Sequence, residues 1–466
     1  MGSKWRKGCF SDIAIITMGQ SPKGTDCNNL ENGIPLLNGP TEFSDWHPYP
    51  IQFTTDPKKY AEEGDLLFCV RGSTTGRMNW AEQKYAIGRG IASFRHRLGK
   101  EYHAYLRALV EYKLPILLQS ATGSTFPNVS RTQLLELEID VPFGEAALAI
   151  SRIIDSLDKK IYLNQQTNQT LEQMAQTLFK SWFVDFDPVF DNILCNANYQ
   201  LENLPADFPD ELRPKAKQRL TAPQNNPEKT SIEREKNGNK AFPSEFEFNE
   251  QLGWIPKGWE DGSFEKVADA LSGYAFKGKD FSVDGYAVIK IKNISTDRTV
   301  SIFDVNRIPP EIGISASRFL LSDGDIIMAM TGAGSVGRFG VIASESNEPY
   351  YLNQRVCKLS PKLKNGIPFL FAALNKTGVE EGIFKGAQGS GQPNISANGI
   401  LATKLLVPNV KSIELFNTLL MEAFNQKITL RKESYTLTKL RDTLLPKLIS
   451  GELQVSSLRT SGEKTA

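Results

Sequence analysis

Apolar residues follow two rhythms along this chain. From Glu145 to about Phe183 there is neither Pro nor Gly. Within it Ile154, Leu157, Ile161, Asn164, Asn168, Leu171, Ala175 and Leu178 are spaced alternately by three and four, the pattern of a heptad seam. Asn164 and Asn168 put amides in that seam, where polar groups fix register and partner at a cost in stability. A helix of some 38 residues would be roughly 57 Å long, which argues against a simple core helix. A second helix is predicted from Lys411 to about Ile449. Its seam is Leu420, Ala423, Lys427, Leu430, Ser434, Leu437, Arg441 and Leu444, with more polar breaks. Two imperfect seams of similar length suit pairing with each other.

The other rhythm is short. "DLLFCV", "DIIMAM", "YAVIKI" and "LEIDV" are apolar or β-branched runs between Gly, Asp and Pro, and they predict strands. Pro142 and Pro408 end the strands that precede the long helices.

These runs occur twice. "GSTFPNVS" (123–130) is echoed by "GSGQPNIS" (389–396), 266 positions on. "GQSPKGTD" (19–26) matches "GYAFKGKD" (273–280), 254 positions on. "EEGDLLFCVRGSTTGR" matches "LSDGDIIMAMTGAGSVGR", and Arg89 aligns with Arg355. The predicted fold is α+β: two α/β domains in tandem, 1–144 and 251–410, separated by long helices at 145–185 and 411–451 that pair as an antiparallel coiled coil. Residues 186–250, rich in Pro, Asn, Lys and Glu, read as a polar linker, and 452–466 as a polar tail.

Composition adds bounds. With 466 residues, 40% hydrophobic and 23% charged, the chain has the make-up of a soluble protein of several domains. A net charge of +1 does not by itself announce a nucleic-acid binder. Five scattered cysteines without a CxxC pair suit reduced thiols and a cytoplasmic location. His47, His96 and His103 lack metal-ligand spacing. The first residues lack the apolar core of a signal peptide, and no run of 18 apolar residues predicts a membrane span.

Three motifs have the spelling of enzyme loops. "GAGSVG" (332–337) is GxGxxG, but the β-rich "RFGVIAS" follows where a helix is needed. "GYAFKGKD" puts Asp280 where a P-loop needs a hydroxyl. "FDPVF" (186–190) lacks the second proline of the amino-methyltransferase loop. No catalytic constellation follows from these residues.

The doubled loops are richer in chemistry: Ser and Thr suit phosphates, Arg suits guanine, and Asn or Gln suits adenine. The candidate DNA contacts are Arg71, Ser73, Thr74, Arg77 and Arg89 in the first copy. In the second they are Thr331, Ser335, Arg338, Arg355, Gln388 and Asn394. Two diverged readers joined by paired helices suit a target in two unlike halves.

The whole layout resembles the specificity subunits of type I restriction-modification enzymes. The resemblance rests on the repeat, on the two "GD…GR" loops, on "PNVS" and "PNIS", and on "LEQMAQTLFKSWFVDFDPV", "LGWIPKGWE" and "LRDTLLPKLISGEL". It implies two target-recognition domains on a bipartite, asymmetric site in double-stranded DNA. It further implies docking of two modification subunits and of restriction subunits. S-adenosylmethionine (SAM), ATP and Mg2+ would belong to those partners, with no cofactor, catalytic residue or metal in this chain. Two other readings fit the residues: a stand-alone SAM-dependent DNA methyltransferase using "GAGSVG", and a coiled-coil assembly scaffold without DNA specificity.

Overall fold

The computed structural model describes residues 5–44, 46–121, 127–142, 145–221, 239–302, 304–344, 348–389 and 391–453. The chain divides into two compact units. One joins Met1–Leu163 to Ser434–Ala466, and the other is Asn164–Glu433. We call them the first and second units.

Each unit repeats one topology. The first has a four-stranded antiparallel sheet in the order Ala14–Met18, Ile91–His96, Leu66–Cys69, Met78–Trp80. The second has Ala268–Ser272, Val356–Pro361, Ile326–Ala329, Phe339–Val341 in the same order. Beside it lies a mixed sheet built on one parallel pair. That pair is Ile34–Leu37 with Tyr85–Ile87 in the first unit and Tyr286–Ile289 with Tyr350–Leu352 in the second. A two-stranded ribbon closes each copy, Trp5–Cys9 with Glu138–Pro142 and Glu260–Ser263 with Lys404–Val407.

The repeated Gly-Asp dipeptide starts the central strand for a physical reason. Gly64 and Gly324 have φ of 87° and 86°, the left-handed region that other residues avoid. The following carboxylate closes the turn: Asp65 accepts from the Glu62 amide at 2.9 Å and Asp325 from the Ser322 amide at 2.8 Å. Each acid then takes a cation across the sheet. Asp65 receives Arg95 through two bonds of 2.7 and 2.8 Å, and Asp325 receives Lys358 at 3.3 Å. The strands after the turn, Leu66–Cys69 and Ile326–Ala329, are buried throughout.

The long helices are Ala146–Phe183 and Val410–Ile449. Each contributes residues to both units. In the second unit Asn164 Nδ2 donates to Glu433 at 2.9 Å, and Lys427 donates to Glu172. One helix number rises as the other falls, so the helices are antiparallel. In the first unit Ile150 and Ile154 share a core with Leu445, Leu448 and Ile449.

The expected polar linker is different in structure. Residues 186–221 contain helices at Asp187–Asn196 and Arg213–Thr221. Val189, Phe190, Ile193, Leu194 and Ala216 are part of the second unit's core, with Phe179, Phe183 and Trp259. Arg219 and Asp191 hold the two helices together at 2.7 Å. Burial of these apolar groups outweighs the polar average of the segment. The expected linker residues 222–238 and tail residues 454–466 lie outside the described residues.

Candidate nucleic-acid interface

The loops singled out by the repeat gather at one end of each four-stranded sheet. In the first unit the Val70 amide donates to Gly90 O and the Val129 amide donates to Val70 O, each at 2.9 Å. In the second the Met330 amide donates to Arg355 O at 3.0 Å and the Ile395 amide to Met330 O at 2.9 Å. Arg71, Arg89 and Asn128 therefore share one sheet end, as do Thr331, Arg355 and Asn394.

The Pro-Asn-x-Ser stretch docks the same way in both. Gly72 N–H donates to Pro127 O at 3.1 Å and Gly332 N–H to Pro393 O at 2.9 Å. Arg71 Nε donates to Asn128 Oδ1 at 3.1 Å, and Thr331 Oγ1 to Asn394 Oδ1 at 2.9 Å. Gln388 and Asn394 exchange backbone bonds of 2.9 and 2.8 Å. Ser130 and Ser396 then cap the short helices Arg131–Leu135 and Ala397–Leu401. Thr125 and Phe126, which differ from the second copy, lie outside the described residues.

The candidate contacts fall into two groups. Arg71, Ser73, Arg77, Arg89, Arg355, Gln388 and Asn394 are exposed. Thr74, Ser335 and Arg338 are half-buried, and Thr331 is buried with its hydroxyl committed to Asn394. Arg77 donates to Pro40 O and Phe43 O at 3.3 and 3.0 Å, and Arg338 to Ile294 O at 3.4 Å and to Gly334 O. Both tie the hairpin loop to the segment after the parallel strand. "GAGSVG" is that hairpin loop, joining Ile326–Ala329 to Phe339–Val341.

One alignment changes. Gly88 N–H donates to Leu37 O, and its counterpart Asn353 N–H to Ile289 O. Ile91 N–H donates to Gly88 O, and Val356 N–H to Asn353 O. Arg89 thus corresponds to Gln354, and Arg355 to Gly90, one position off the sequence alignment.

Both copies of the repeat match one family model, the type I restriction modification DNA specificity domain, at residues 2–173 and 256–434. The chain belongs to this family. It is 26% identical to the type I restriction enzyme HindI specificity subunit of Haemophilus influenzae, over 72% of this chain and 73% of that one. It is 23% identical to the MjaVIII specificity subunit of Methanocaldococcus jannaschii, over 97% and 94%. The crystal structure of the S subunit of a type I system from M. genitalium shares the fold, with a TM-score of 0.53 and 16% identity over 96% of each chain.

As a member of the type I specificity family, the chain carries a feature that its loop motifs did not reveal. The first unit has an open polar cleft of about 480 Å³ whose lining includes Ser21, Asn28, Asn29, Asn38 and Gln52. Arg89 borders it, since its amide donates to Ser21 Oγ at 3.3 Å. Isolated amides scattered over strands and loops carry no spacing signal; the strand register brings Asn38 and Gln52 together. Among the described residues no helix is long and apolar enough to cross a membrane.

Proposed function

We propose that this chain is the DNA-reading subunit of a type I restriction-modification complex. Each unit reads one half of a bipartite, asymmetric target, and the helix pair common to both units sets the fixed gap between the halves. The observation that carries this reading is the contrast within the repeat. Turn, cap and sheet hydrogen bonds are kept, while exposed side chains at the same sheet end differ. Two modification subunits and the restriction subunits dock on it. The chain does no chemistry of its own, and SAM, ATP and Mg2+ act in those partners. A net charge of +1 fits a reader that shares its grip on phosphate with other subunits.

The test is co-expression with its partner methyltransferase subunit, followed by genome-wide mapping of adenine methylation. The expected result is a split motif with a fixed gap and two unlike halves. Contiguous or sequence-independent methylation would overturn the reading.

A further inference from the structure

The cleft of the first unit holds a pair of amides with unused hydrogen-bonding capacity. Asn38 follows strand Ile34–Leu37, and Gln52 opens the neighbouring strand Gln52–Thr54, where it faces Leu36. Asn38 Nδ2 donates to Gln52 Oε1 at 2.9 Å. Among the described residues neither Asn38 Oδ1 nor Gln52 Nε2 has another hydrogen-bond partner. The two wholly unpartnered atoms are an acceptor, Asn38 Oδ1, and a donor, Gln52 Nε2, while Asn38 Nδ2 and Gln52 Oε1 each keep half their capacity. Rotating both amides by half a turn exchanges the roles and again leaves one oxygen and one nitrogen wholly unpartnered.

The backbone is shaped for this pair. A Cβ built on Gly88 would lie 2.4 Å from Asn38 Oδ1 and 3.0 Å from Asn38 Cα, so a larger residue there would displace the amide. Asn38 is exposed, and Arg89, also exposed, follows Gly88 directly.

The second unit supplies an internal comparison. Leu37 bonds Gly88 as Ile289 bonds Asn353, so Asn38 corresponds to Lys290. Leu36 faces Gln52 as Val288 faces Asn306, so Gln52 corresponds to Asn306. Lys290 Nζ sits 4.0 Å above the Phe281 ring, and burial together with Lys292 lowers its pKa. The frame is the same, yet a donor–acceptor pair is replaced by a cation on an aromatic ring.

We infer that Asn38 and Gln52 form a base-reading site of the first unit that selects adenine through its major-groove edge. Adenine offers an N6 donor and an N7 acceptor, which Asn38 Oδ1 and Gln52 Nε2 match when these two unpartnered atoms face the base. Guanine offers two acceptors on that edge and would leave the amide acceptor facing O6 or N7. This inference rests on the proposed function and deepens it by naming the base and the residues.

The experiment uses the complete complex of this chain with its methyltransferase subunit, selecting bound duplexes from a randomised DNA library. Native complex is compared with Asn38→Ala and Gln52→Ala. The expected result is loss of adenine preference at one position of one half-site, by roughly tenfold to a hundredfold, with the other half-site unchanged. The unchanged half-site also reports that the variant is folded. Replacing that adenine by 7-deazaadenine should weaken the native complex and leave Gln52→Ala indifferent. A split motif identical in native and variant complexes would overturn the inference and leave the proposed function standing. A native complex that selects no motif would overturn both.

Discussion

Arg441 on the second long helix donates to Asp158 on the first at 2.9 Å, across 283 positions of chain. Asp158 is only 4% exposed, so the guanidinium is what makes its charge tolerable there. Arg441→Ala should destabilise the first unit by about 3 kcal/mol. Replacing both residues by Leu should restore most of that loss, as urea unfolding of the two variants would measure.

The paired caps give a twin test. Ser130 Oγ accepts from the Gln133 amide at 3.3 Å, and Ser396 Oγ accepts from the Gly399 amide at 3.0 Å. Ser→Ala at either position should cost about 1 kcal/mol. Ser130→Ala should cost more, because the Ser130 hydroxyl also donates to Gln133 Oε1 at 2.8 Å. Thermal melting of both variants decides the order.

His96 makes the first unit acid-sensitive. It is 4% exposed, and its Nδ1 accepts the Leu98 amide at 3.2 Å, which requires an unprotonated nitrogen. Burial, then the neighbouring His103, hold its pKa near 4 against an ordinary 6.5. Between these values the unfolded chain takes up a proton that the folded chain refuses. Stability is therefore full above about pH 6.5 and falls as the pH drops towards 4. His103 is shifted the same way, burial first. A melting series across this window should show the fall, and His96→Phe should flatten it.

Arg355 tests the division of labour between the units. Its side chain is exposed while its carbonyl is fixed in the sheet frame. Arg355→Ala should relax one half of the recognised motif by about 1–3 kcal/mol and spare the other. Methylation mapping reads both halves in one experiment, and equal loss across both would sink the assignment.

Much of this architecture is written in local patterns. The seam residues Ile154, Ile161 and Asn164 are buried as their spacing predicts, and Lys427 is buried beside Glu172. Gly64, Gly324, Ser130 and Ser396 act within a few residues of themselves, so motifs reveal them. Residues 186–221 were less legible. Val189, Phe190, Ile193 and Leu194 occupy one short helix, and a wide window diluted them with Asn, Pro and Lys. The correspondence of Arg89 needed hydrogen-bond register, because one added residue in a loop shifts an alignment without disturbing a sheet. Asn38 and Gln52 meet only through strand pairing, which no spacing along the chain encodes.

The first unit draws its core from both ends of the chain: Phe10 and Leu106 pack with Leu445, Leu448 and Ile449. On the ribosome, that core must wait while the whole of Asn164–Glu433 is made. At roughly 5–20 residues per second the delay is on the order of tens of seconds. The half of the protein that is synthesised first is thus the half that is completed last. A premature stop ahead of Leu445 would leave the second unit's residues intact and the first unit open.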